Sequence, residues 1–447
     1  MEGDDIMQTI RIYGNEKWLV DTDYDPPLKI RFIEYVNTNG GGGGDSSSGG
    51  GSSGNVYPIN RTNNSSYGYL SGNYLNDTLT NYGSNSTVSG NGGHDIINNY
   101  ADRTYIDGGS GNDSINLNDS DYVTVIGTGN SNDTITGSGT NRVYRYYDKY
   151  GEDVIVGYDD SDTIRLDGSQ YFSTMISGSD ILVSLANNFG GVLAIASGLI
   201  RLKDAAGKSL NIRGGTEDVA INSVNETAYA IIHGSSKNDT IVNHADGMKI
   251  SVYGGNDLIS NDGDDVTINA GAGADYISNS ESSVSLDAGE GNNSIENSGS
   301  NVSINAGWGD NSIKVNGGDD VTIGGSGIIT GLGARNVITY YSGSDVVFGY
   351  TGDDSINLGN HSYTTLQSGN DKIINLHSGD ALTFKSVGEM PLNVIGGRYG
   401  VNLSNSSSDT YVVLSGADGN DTIHNRASYA TVIGGDGDDY IRNEGWH

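Results

Sequence analysis

An all-β solenoid is what this sequence predicts: a parallel β-roll of about 18 residues per coil, interrupted by two homologous β-rich modules. Three observations predict it. First, an acidic or amide residue returns every 18 positions: Asp77, Asp95, Asp113; then Asp239, Asp257, Asp275, Asn293, Asn311; then Asp421 and Asp439. Second, Leu or Ile stands two positions after each, from Leu79 and Ile97 to Ile423 and Ile441. Third, glycines lead into most of them, as in Gly108-Gly109-Ser110-Gly111-Asn112-Asp113 and Gly434-Gly435-Asp436-Gly437-Asp438-Asp439. A fixed period of this kind marks a fold in which no unit buries its own apolar face and stacking builds the core.

Composition narrows the class. Gly makes up 69 of 447 residues, hydrophobics are 34%, and the formal charge is -33, values that by themselves lean towards disorder. The regular Ile and Val placement argues for order, provided something neutralises the acid. Asp supplies 45 of the 56 acidic residues, and many stand beside Gly, which points to turn chemistry or hard-cation ligation. So negative a chain is not expected to bind nucleic acid or anionic lipid. It has no Cys, hence no disulfide frame and no thiolate metal site. No apolar run approaches the ~18 residues of a membrane span. Met1-Glu2-Gly3-Asp4-Asp5 lacks the basic start of a signal peptide, so the expected routes are export that ignores the N-terminus, a fragment, or retention inside the cell.

The elements follow in order. Residues 1–40 read as a small β-rich head, with alternating strands from Thr9 to Tyr13 and from Leu28 to Val36 and a turn at Asp25-Pro26-Pro27. Residues 41–54, nearly all Gly and Ser, are a linker. A first β-roll array fills 55–139, a β module 140–233, a second array 234–330, a second module 331–415, and a truncated array 416–447. The modules are related: Asp153-Val-Ile-Val-Gly-Tyr158 matches Asp345-Val-Val-Phe-Gly-Tyr350, and Asp162-Thr-Ile-Arg-Leu166 matches Asp354-Ser-Ile-Asn-Leu358, both at an offset of 192. Their longer apolar runs predict folding that depends less on metal than that of the arrays. The last array ends after barely two coils, an open strand edge that suggests a longer protein or a capping partner.

Within one coil, 257–274, Ile259 points inward from a short strand and Asn261 opens a turn. Val266 and Ile268 point inward from the return strand, and Gly271-Ala272-Gly273 turns back to Asp275. Such coils stack ~4.8 Å apart as parallel neighbours. Asn261, Asn279 and Asn297 are expected to form an amide column with a structural role. The coil spacing lengthens to 20 at Asp133 and Asp153, where disturbed stacking is expected.

These turns resemble the haemolysin-type calcium-binding (RTX) repeat, G-G-x-G-x-D-x-U-x, and the two modules resemble spacers found among such repeats in large bacterial surface proteins; together the resemblance covers about four-fifths of the chain. The best matches are 108–113 and 434–439, with 90–95, 271–275 and 416–421 close. The resemblance implies a parallel β-roll in which Gly carbonyls and Asp carboxylates of stacked turns hold several Ca²⁺ ions. Ca²⁺ favours several oxygen ligands, and Gly lets carbonyls converge at backbone angles that other residues avoid. The candidate metal residues are therefore Asp95, Gly108, Gly109, Gly111, Asp113, Asp133, Asp239, Asp257, Gly271, Gly273, Asp275, Asp421, Gly434, Gly435, Gly437 and Asp439. Their alternative reading is an Asx turn without metal. Asn293 and Asn311 lose a charge and are expected to mark weaker sites, with Glu290 and Asp310 as compensating acids. The opposite turn of most coils, such as Asn-Ser-Glu-Ser-Ser-Val, is expected to bind no ion.

His94, His233 and His361 show no metal-ligand spacing and read as surface residues. Tyr144, Tyr146, Tyr147, Tyr340 and Tyr341 at the module entries read as packing that seals an array, with carbohydrate stacking the competing reading. No G-x-S-x-G elbow or His-paired nucleophile occurs, and the many paired carboxylates all lie in turns, so no enzyme is expected. The expected function is a calcium-dependent, adhesin-like scaffold outside the cell or on its surface, with a cell-surface or glycan partner. The alternatives are a receptor- or ice-binding face along Thr267, Ser285, Ser303 and Thr322, or the folding tail of a larger secreted enzyme.

Overall fold

The computed structural model describes residues 9–13, 16–21 and 28–32, then 57–445 except for 128–130, 148–150, 168–170, 187–195, 215–219, 317–319, 326, 331–334, 340–344, 352, 360, 378, 380, 389, 391, 396–398, 406–411 and 417. The linker at 41–54, the turn at 25–27, and Tyr340 and Tyr341 lie outside the described residues. Among those described, every regular element is a strand, and residues 60–443 form a parallel β-solenoid of about 18 residues per turn. None of them forms a helix long and apolar enough to cross a membrane.

Two compact units emerge: Met1–Arg165 with Gly178–Leu185 and Ala196–Ala206, and Leu166–Ser177 with Ala186–Ile195 and Gly207–His447. In the first, Asn60–Asn63, Thr78–Asn81, Ile96–Asn99, Ser114–Asn118, Thr134–Gly137 and Gly151–Val156 pair in parallel, one per coil. The return strands Tyr69–Ser71, Thr87–Ser89, Tyr105–Asp107, Thr124–Gly127 and Val143–Tyr146 make the second sheet. The period-2 alternation of each strand sends Leu79, Ile97, Ile115, Ile135 and Ile155 inward from one sheet and Leu70, Val88, Ile106 and Val125 from the other, all buried. At a nominal 25 cal/mol per Å², burying one such Leu or Ile stabilises the roll by about 1.5–3 kcal/mol. The 20-residue spacing disturbs the stack locally, as expected: the register shifts between Asn116 and Asn118, while Ile115, Ile135 and Ile155 stay aligned.

The second unit repeats this plan in the coils from Asn222–Asn225 to Asn311–Val315. Val266 and Ile268 are buried as the coil reading requires. Its module adds something that the alternation pattern does not reveal. Tyr363–Ser368, Asp371–Leu376 and Ala381–Lys385 form an antiparallel meander. The meander is spliced between Asp345–Phe348 and Asn402–Asn405, its outer strands pairing in parallel with each. The head is likewise fuller than expected. A middle strand, Glu16–Asp21, pairs antiparallel with both Thr9–Tyr13 and Leu28–Phe32. Its Trp-Leu-Val run breaks the strict alternation that marked the other two.

Candidate metal-binding column

Two ladders of polar side chains run along the coils. On one edge, Asn243, Asn261, Asn279 and Asn297 are buried, and each Nδ2 donates to the next Oδ1 at 2.7 Å. Each also closes its own turn: Asn261 Nδ2 donates to Gly263 O at 2.8 Å. In the first unit Asn63, Asn81 and Asn99 are joined in the same manner. A buried amide fully used in this way is a structural corner.

The other ladder is built from the 18-residue column itself. The backbone N–H of each column residue donates to the side-chain Oδ1 of the next coil: Asp77 to Asp95 at 2.7 Å, Asp95 to Asp113 at 2.8 Å, Asp239 to Asp257 at 2.7 Å, Asp257 to Asp275 at 2.8 Å, Asp421 to Asp439 at 2.9 Å. It runs unbroken across the longer coils, from Asp113 to Asp133 and on to Asp153, at 2.8 Å each. Oδ1 therefore serves the fold. The second oxygen, Oδ2, is what distinguishes one coil from another.

At Asp95, Asp113, Asp257, Asp275 and Asp421, Oδ2 is buried without a hydrogen-bond partner among the described residues. An unpaired buried carboxylate oxygen is costly unless it is protonated or meets a cation. Burial, only partly offset by the N–H of the preceding coil, pushes the Asp95 carboxyl up to about 6, Asp257 to about 7 and Asp113 to about 8. Asp275 is raised for the same reason. At Asp239, Asp133 and Asp77 Oδ2 is already served. Asp239 accepts from Ser235 N at 2.7 Å, and Asp133 accepts from Ser131 Oγ at 3.1 Å. Asp77 accepts from Asn73 N at 2.5 Å. Asp439, in the last described coil, is half-buried.

The glycines shape the space beside these oxygens. A Cβ added to Gly90 would stand 2.3 Å from both Asp95 Oδ2 and Gly108 O, and one on Gly416 would stand 2.0 Å from Asp421 Oδ2 and 2.5 Å from Gly434 O. A carboxylate oxygen and a carbonyl of the following coil thus converge on one small gap that only Gly leaves open. A Cβ on Gly108 or Gly434 would stand 2.5 Å from Asp113 Oδ2 or 2.2 Å from Asp439 Oδ2. In the middle array the corresponding residues are Val252 and Ala270, so a Cβ already stands there. Gly109, Gly111, Gly271, Gly273, Gly435 and Gly437 all have positive φ. Gly111 shows why: at φ +113° a Cβ would lie 2.0 Å from Gly93 O of the coil before.

The donor set tests which ion fits. Among the described residues, no three His, Asp or Glu side chains gather as metal ligands. The converging groups are one carboxylate oxygen and one backbone carbonyl, oxygen donors of the kind that hard cations prefer.

Asn293 and Asn311 occupy the same column, both buried. Their Oδ1 atoms accept the ladder N–H groups of Asp275 and Asn293 at 3.0 and 2.8 Å. Glu290 and Asp310 are exposed beside them. Of the aromatic residues flagged at the module entries, Tyr144 and Tyr146 are buried and Tyr147 is exposed. The opposite edge of the second array carries its own exposed acids, Asp246 and Asp264, linked through Asp264 N at 2.9 Å.

No protein-family model matches this chain, and a search of curated proteins found no match.

Proposed function

We propose that this protein is a calcium-binding repeat scaffold of the haemolysin type that folds when its turns take up Ca²⁺ outside the cell. It acts as an adhesin-like structural element and not as an enzyme. The observation that carries the proposal is the unpaired Oδ2 of Asp95 and Asp421, each facing a Gly carbonyl of the next coil across a gap no side chain fills. Bound Ca²⁺ would supply the positive charge that those oxygens lack. The chain does the rest: Oδ1 fixes each carboxylate by accepting the neighbouring N–H, the glycines aim their carbonyls, and the Ile and Leu rows lock the spacing.

Asp95 and Asp421 are the ligands that geometry favours most, and Asp113 shares their unpaired oxygen beside Gly108. Asp257 and Asp275 share the unpaired oxygen but border Val252 and Ala270. Without the ion, repulsion along the column and a low apolar content both oppose stacking. Scarce cytosolic Ca²⁺ would keep the arrays loose, and millimolar Ca²⁺ outside would fold them, which supports a working place at the cell surface or beyond. Circular dichroism tests the reading: strand signal should be weaker in chelator and should rise in millimolar Ca²⁺. An unchanged spectrum would favour metal-free Asx turns instead.

A further inference from the structure

We propose that the coils carrying Asn293 and Asn311 are closed by their own side-chain amides and take no cation. This rests on the calcium reading above and limits where it applies. The ladder fixes the orientation of the amide. Asp275 N–H and Asn293 N–H each need an acceptor, and only Oδ1 of Asn293 and Asn311 can serve. The NH₂ group must then lie on the side where an aspartate carries Oδ2.

There, Asn293 Nδ2 donates to Ala288 O at 3.4 Å and to Ala306 O at 3.3 Å. These two residues stand five positions before a column residue, as Gly90 and Gly108 do around Asp95. The carbonyls that would face an ion in an Asp coil therefore receive amide hydrogens. Asn311 does the same within its own turn, Nδ2 donating to Gly307 O at 3.5 Å and to Gly309 O at 3.4 Å. A second observation points the same way: the positions left open at Gly90 and Gly416 are Ala288 and Ala306 here, both fully buried, so a methyl group fills the gap. An Asn at this point is thus a tethered donor in place of a cation, and not a weaker oxygen ligand.

Hydrogen–deuterium exchange of the full chain, in chelator and in millimolar Ca²⁺, tests this. Ser294–Asn297 and Asn311–Val315 should exchange at rates within about twofold in the two conditions, while Ile96–Asn99 and Ser114–Asn118 slow by about tenfold or more with Ca²⁺. Asn293→Asp should leave a buried carboxylate oxygen unserved and speed exchange at Ser294–Asn297 in chelator by about tenfold. Should that variant fail to fold, the wild-type comparison still decides. If Ser294–Asn297 slows with Ca²⁺ in step with Ile96–Asn99, the proposal is wrong although the calcium reading stands. If no segment responds to Ca²⁺, the calcium reading fails and this proposal with it.

Discussion

Replacing Asp113 by Asn should stabilise the metal-free first array and weaken the local response to calcium. Asp113 is 3% exposed, its Oδ1 accepts Asp95 N–H at 2.8 Å, and its Oδ2 has no hydrogen-bond partner among the described residues. Burial raises its carboxyl from 3.8 to about 8. For a carboxylate whose folded value lies above the unfolded one, stability is fully present below 3.8 and is lost as pH rises through about 8. Near pH 7 roughly three units of that rise are felt, about 4 kcal/mol before screening. Solvent along the turn edge reduces this to about 2 kcal/mol. Asn is neutral at every pH, keeps Oδ1 for the ladder, and turns an N–H towards the carbonyl side as Asn293 does. Exchange at Ile96–Asn99 and Ser114–Asn118, measured in chelator near pH 7, should slow by about 30-fold in Asp113→Asn. The gain should shrink as pH falls to about 5, where the wild-type carboxyl holds its proton. Added Ca²⁺ should then protect these strands less than in the wild type. Faster exchange in the variant, or a gain independent of pH, would refute the idea of an unserved buried carboxylate.

Three further outcomes follow from the packing. Asn261→Ala removes a buried amide that binds Asn243, Asn279 and Gly263; chemical denaturation of the second array should show a loss of about 2–4 kcal/mol. Arg142→Met strips the guanidinium from Asp162, a pair with both side chains fully buried and Nη2 at 2.9 Å from Oδ2, so the surrounding coils should lose about 3–5 kcal/mol and Asp162→Asn should restore part of it. Gly273→Ala, with φ +150° and a Cβ only 1.5 Å from Gly255 O, should disrupt its array, whereas Gly178→Ala, with nothing within 4 Å of its Cβ, should cost only about 1 kcal/mol of backbone strain in a thermal melt.

The solenoid was legible because two periods coincide. An inward Ile two residues after each Asp reports the strand, and the 18-residue return reports the coil. The amide column of Asn261, Asn279 and Asn297 was legible for the same reason. Strand direction was not: alternation looks alike in parallel and antiparallel strands, so the meander from Tyr363 to Lys385 read only as β. The division among the aspartates was not legible, since Oδ2 of Asp239 and of Asp77 is served by a backbone N–H, of Ser235 and of Asn73, a group that any residue but Pro offers. It also depends on which carboxylate oxygen the ladder consumes, and that is set by the register between coils. The same holds for Asn293, where the ladder decides whether oxygen or nitrogen faces the carbonyls.

The most direct measurement is an anomalous difference map from crystals of the full chain grown with calcium. Ca²⁺ held by the column predicts peaks about 2.3–2.6 Å from Asp95 Oδ2 and Gly108 O, and from Asp421 Oδ2 and Gly434 O, with none beside Asn293. Peaks confined to exposed carboxylates such as Asp246 and Asp264, or no peaks along the Asp95–Asp113 turns, would contradict it.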